Sequence, residues 1–86
     1  MGSEKKREIE IIISGKSYGK MEFPEGLVLQ GLLSQVLSKT NNTGQPPENW
    51  EMRDSAGTLI DLNKHLRECP ASIVQLWITL KAGIGG

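Results

Sequence analysis

The sequence predicts a small α+β domain in which a mixed sheet of four to five strands wraps over one helix. Three observations predict it. Apolar residues alternate at Ile9, Ile11 and Ile13, they alternate again at Val74, Leu76, Ile78 and Leu80, and Leu29, Leu32, Leu33 and Val36 recur at the helical spacing i, i+3, i+4, i+7. A chain of 86 residues supports one core and therefore one domain.

The first strand covers residues 8–14, with Ile9, Ile11 and Ile13 on one face. Gly15-Lys16-Ser17 supplies turn chemistry, and alternation resumes over 18–23 with Met21 and Phe23 inward and Lys20 and Glu22 outward, which makes a hairpin. Pro24-Glu25-Gly26 stops the second strand, and the helix then extends to about Lys39. Gly31 lies inside that helix at a cost of about 1 kcal/mol against Ala, so it is expected to mark a close approach to the sheet. Asn41-Asn42-Thr43-Gly44 ends the helix and Pro46-Pro47 forbids its continuation.

Trp50 and Met52 share one face of a third strand, Ser55-Ala56-Gly57 turns the chain, and Leu59-Ile60 reads as a further short strand. Asp61 is placed to cap a helical turn over 62–67, because its carboxylate accepts from free backbone N–H groups, and Pro70 ends that turn. The last strand spans 73–81, with Val74, Leu76, Ile78 and Leu80 inward and Gln75, Trp77 and Thr79 outward. Residues 1–7 read as an N-terminal tail or cloning scar, 8–81 as the domain, and 82–86, rich in glycine, as a flexible C-terminal tail.

Ten basic and ten acidic side chains leave a net charge of zero, so no strong field draws nucleic acid or an anionic membrane. Lys5-Lys6-Arg7 is flanked by Glu4 and Glu8 and reads as part of the solvated tail. The single cysteine, Cys69, cannot form an internal disulfide, and neither a signal peptide nor an apolar run of about 20 residues is present, so a cytoplasmic monomer is expected. His65 and Cys69 are the chain's one histidine and one cysteine, too few for a zinc set. Without a metal or an evident nucleophile–base pair beyond those two residues, the chain is expected to be neither an enzyme nor in need of a cofactor.

Strand, strand, helix, strand, short strand, helical turn, strand is the order of a β-grasp, although connection rules alone leave other arrangements open. Over residues 8–86 the chain resembles ubiquitin and its relatives. The resemblance is carried by Pro46-Pro47-Glu48-Asn49 after the helix, the turn and strand at 55–61, the leucine-bearing turn at 62–66, and an apolar last strand leading to Gly85-Gly86. It implies a β-grasp modifier whose terminal glycine is activated by an ATP-dependent enzyme, as an adenylate and then a thioester. A conjugating enzyme and a target protein are implied as partners, with a deconjugating protease; ATP is consumed by the activating enzyme. In that pattern Gly86 carries the reacting carboxylate and Gly85 gives a slender approach to it.

Two departures from ubiquitin matter. Ubiquitin carries an apolar patch on its exposed sheet face, where this chain has Arg53 and takes its apolar contribution from Trp77; and the terminal glycines here follow Lys81, Ala82, Gly83 and Ile84 instead of arginines. Trp77, Arg53, Lys81 and Ile84 are therefore the candidate partner contacts of a dedicated enzyme set, and a divergent, bacterial ubiquitination-like system is the expected source.

The chemistry asks little of the chain itself. A terminal carboxylate has a pKa of roughly 3.5, so at neutral pH it is ionised and able to attack the α-phosphate of ATP. Glycine lets an extended backbone thread a narrow channel, since without Cβ it adopts dihedrals closed to other residues. At an average glycine use of about 7%, a terminal pair arises by chance in roughly one chain in 200, so the pair has weight only with the fold that projects it. Two other functions share these features: a sulfur carrier bearing a C-terminal thiocarboxylate, and a non-covalent interaction domain that uses Trp77.

Overall fold

A computed structural model describes residues 5–83. Its strands are β1 (Lys6–Ile13), β2 (Lys16–Pro24), β3 (Trp50–Arg53) and β4 (Gln75–Leu80), and its one α-helix is α1 (Leu29–Lys39). The sheet order is β2-β1-β4-β3. The central pair, β1 and β4, is parallel, and β2 and β3 flank it antiparallel. This is the α+β, β-grasp arrangement that the element order predicts.

The inner face follows from period-2 burial. Ile9, Ile11 and Ile13 of β1, Phe23 of β2, Met52 of β3 and Leu76 and Ile78 of β4 are all buried, and they close on Leu29, Leu32, Leu33, Val36 and Leu37 of α1. Trp50 joins this core, its indole N–H donating to the Gln45 carbonyl at 3.4 Å. Val74 does not: it precedes β4 and is 59% exposed, so the predicted inner stripe begins at Leu76.

The β1–β2 turn is one residue earlier than the turn chemistry predicts. Ser14 and Gly15 both take positive φ, 50° and 83°, as a two-residue hairpin turn requires, and Lys16 already belongs to β2. A bulge between Glu10 and Ile12 then accommodates Tyr18 and Gly19, restoring Met21 and Phe23 to the inner side.

The start of α1 has no side-chain cap. Its free N–H groups are met by a distant loop instead, Leu29 donating to Lys64 O at 2.8 Å and Gln30 to Leu62 O at 2.9 Å. Serving that purpose, residues 61–68 do not form the single helical turn predicted for 62–67. The Asp61 carboxylate accepts from Asn63 N–H at 2.9 Å in a first turn, and a separate 3-10 turn covers Leu66–Glu68. Gly31 makes no close approach to the sheet: a Cβ there meets only Leu27 Cδ1, at 3.5 Å, an ordinary contact. Leu59-Ile60 is likewise no strand, since Leu59 makes a single bridge to Arg53.

The N-terminal boundary also moves. Arg7 lies in β1, and its guanidinium donates to Leu66 O at 3.1 Å, Cys69 O at 2.9 Å, Ile73 O at 3.1 Å and the Pro70 carbonyl. Far from belonging to a solvated tail, this side chain ties the sheet to the segment that leads into β4.

Candidate functional site: the outer face of the sheet

Pairing registers place the outward residues in rows across the strands. Arg53 of β3 lies opposite Trp77 of β4, and Trp77 lies beside Ile12 of β1, whose partner in β2 is Ser17. The next row holds Gln75, Glu10 and Lys20. Trp77 is 37% exposed, while Ile12, on the same solvent-facing side, is only 4% exposed. Burial of an isoleucine on that side requires cover from neighbouring side chains, and Trp77 and Ser17 are its neighbours in the row.

Polar side chains hold this aromatic in place. Ser17 Oγ donates to Glu10 Oε2 at 2.6 Å, Gln75 Nε2 donates to Glu10 Oε1 at 2.9 Å, and Trp77 Nε1 donates to Gln75 Oε1 at 3.3 Å. The hydrogen bond from Ser17, then that from Gln75, holds the Glu10 carboxyl below its ordinary pKa, because both stabilise the charged form.

Arg53 is equally constrained. Its Nη2 pairs with Glu51 Oε2 at 3.0 Å and its Nη1 donates to Gly57 O at 2.9 Å. The turn that supplies Gly57 is fixed by Asp54, whose Oδ1 accepts from the N–H groups of Ala56 and Thr58, both at 2.9 Å. Arg53, Asp54, Ser55, Gly57, Trp77 and Thr79 line an open cleft of about 280 Å³. The structure thus brings together Trp77 and Arg53, two of the residues singled out by sequence.

Lys81 is set apart from that cleft. Its backbone N–H donates to Asn49 O at 2.9 Å, and it borders a second, mostly apolar groove of about 210 Å³ with Trp50, Glu51, Met52, Leu59, Ile60 and Leu62. Gly83 ends the described chain with φ 89°. Ile84, Gly85 and Gly86, and with them the reactive end inferred from sequence, lie outside the described residues.

Sequence reasoning missed Glu10, Gln75 and Ile12. Ile12 carried a signal, an apolar residue breaking the alternation of β1, and its register with Trp77 explains it. Elsewhere, Cys69 is buried, and that burial pushes its thiol pKa up. Among the described residues no cluster of three or more His, Cys, Asp or Glu is arranged to hold a metal ion, and no helix is long and apolar enough to cross a membrane.

Comparison with known proteins places this geometry. The chain belongs to the family described as Protein of Unknown function (DUF2604), whose model matches residues 2–86. It is 35% identical over 86 residues to "Uncharacterized protein y4jI" of Sinorhizobium fredii, covering 99% of this chain and 65% of that relative's length. Among solved structures it matches Caldiarchaeum subterraneum ubiquitin with a TM-score of 0.66 and 13% identity, over 95% of this chain and 100% of that one. The fold is therefore that of ubiquitin.

Proposed function

We propose that the chain is a ubiquitin-like modifier, activated at the Gly86 carboxylate and recognised through the Trp77–Arg53 face. One observation carries the reading. β4 is hydrogen-bonded on both sides, to β1 and β3, and the sequence runs from this rigid strand through Lys81 into Gly85-Gly86. A strand so fixed gives an activating enzyme a firm body to hold while it works on the terminal carboxylate.

The Gly86 carboxylate attacks the α-phosphate of ATP, forming an acyl-adenylate and expelling pyrophosphate. An enzyme thiolate displaces AMP to give a thioester, and a target amine displaces that thiolate to give an amide. Where a natural chain continues past Gly86, proteolysis exposes the same carboxylate. The modifier contributes the acyl group and a binding surface; catalysis belongs to the enzymes.

Trypsin provides the test. Cleavage after Lys81 leaves residues 82–86 as an Ala-Gly-Ile-Gly-Gly remnant on the acceptor amine. Mass spectrometry of cells expressing the tagged chain is expected to find that remnant, and its absence alongside an intact chain whose terminal oxygen is exchanged for sulfur sinks the modifier reading in favour of a sulfur carrier. Unchanged function after deletion of Gly85 and Gly86 excludes both.

A further inference from the structure

Four side chains drawn from three strands form one hydrogen-bonded line across the outer face: Ser17 and Glu10 at 2.6 Å, Glu10 and Gln75 at 2.9 Å, Gln75 and Trp77 at 3.3 Å. The chemistry of the line fixes its direction. An ionised carboxylate only accepts, so Gln75 must turn its amide NH₂ toward Glu10 and thereby presents its carbonyl oxygen to the indole N–H, which only donates. Each group has one workable orientation, and that orientation is dictated from the Glu10 end.

We propose that Glu10 and Gln75 are positioning residues of the outer-face docking surface, holding Trp77 in one orientation through a relay whose fixed direction is lost when Glu10 is protonated. Once protonated, Glu10 can itself donate to the Gln75 carbonyl. The amide is then free to reverse, setting its NH₂ against the indole N–H, and two donors cannot bond. Because the neutral carboxyl keeps one accepting oxygen, both amide orientations are populated, and Trp77 is held only part of the time while the backbone ladder beneath it is unchanged. A preorganised aromatic binds with less ordering cost than a mobile one, so two residues outside the cleft set how well the cleft receives a partner. That consequence rests on the Trp77 face being the recognition surface; the relay itself does not.

The charged groups around Glu10 are few. Lys20 faces it from β2, Glu8 precedes it on its own strand and pairs with Glu22 of β2, and from β4 it meets the uncharged Gln75. Arg53 of β3 lies opposite Trp77 but is engaged with Glu51, which itself pairs with Thr79. Glu10 is thus the titrating group bonded into the relay.

The indole N–H resonances of Trp50 and Trp77 in ¹⁵N-labelled protein read the relay directly, with Trp77→Phe assigning them. The Trp77 resonance is expected to move through one transition on acidification, below the ordinary carboxylate range, while Trp50 stays in place. In Glu10→Gln the transition is lost and the resonance sits at its acid-form position at neutral pH. In Gln75→Leu the resonance is displaced at every pH and the Glu10-linked transition is gone. Thermal midpoints close to the parent's in both variants separate positioning from folding. A Trp77 resonance in Glu10→Gln that matches the parent and still titrates overturns the proposal. That outcome leaves conjugation untouched, because the remnant experiment reads the tail alone.

Discussion

The two faces of the sheet solve different problems with the same four strands. Apart from Arg7 at its margin, the inner face is apolar and sealed by α1, so its core residues are interchangeable in kind and constrained mainly in volume. The outer face carries one large aromatic beside one buried isoleucine, and the polar groups along that row are hydrogen-bonded to one another. Uniform burial makes a stable platform; a sparse, directional face makes a surface that a partner can tell apart from others.

Substitutions on each face sharpen that contrast. The largest stability loss belongs to the inner face: Leu76→Ala removes a fully buried side chain from the central strand and is expected to cost about 3 kcal/mol in urea unfolding. A loss under about 1 kcal/mol breaks the view that this face is tightly packed. Arg7→Met comes next at about 2 kcal/mol, since it strips hydrogen bonds from carbonyls at residues 66–73 that the chain otherwise leaves partly buried. Its thermal unfolding measures whether the segment before β4 is anchored from β1.

Trp77→Ala is expected to invert the ratio, with a stability loss of about 1 kcal/mol and a partner-affinity loss of about 2 kcal/mol or more, the signature of an interface anchor. Equal losses in the two assays reduce Trp77 to a lid over Ile12. Acid behaviour follows in size. The His65 backbone N–H, and then its ring, hold the Glu68 carboxyl below its ordinary pKa. A carboxyl with a lowered folded pKa stabilises the fold above its unfolded pKa and loses that contribution as pH falls through the folded value. Glu68→Gln is therefore expected to lower stability slightly at neutral pH, to match the parent in acid, and so to flatten the acid limb of the stability–pH profile. The smallest effect is at Glu51→Gln, about 0.5 kcal/mol or less, because the Glu51–Arg53 pair is partly exposed and is weakened further by salt.

Much of the inner face was legible in the sequence. Ile9, Ile11, Ile13, Phe23 and four of the five buried apolar residues of α1, all but Leu37, declare themselves by period alone, and they are buried as that period requires. Val74 fell outside because period says which side a residue faces and not where pairing begins. Gly31 shows the reverse error, a glycine assigned a packing purpose where the space around it is ordinary. The outer face was half legible: Trp77 and Arg53 stood out by type, while Glu10 and Gln75 looked like any solvated polar residues.

Local pattern in the chain is enough to set the class, the central helix, the inner stripe of the sheet and the aromatic on its outer side. These rest on short-range regularities, side-chain periods of two and 3.6 residues that burial imposes on any strand or helix. Only the tertiary structure decided that Arg7 belongs to the fold, that residues 62 and 64 cap α1, and that Glu10 reaches Trp77 through Gln75. Each is a hydrogen bond between residues remote in the chain, and its partner is chosen by strand register, which no local pattern encodes.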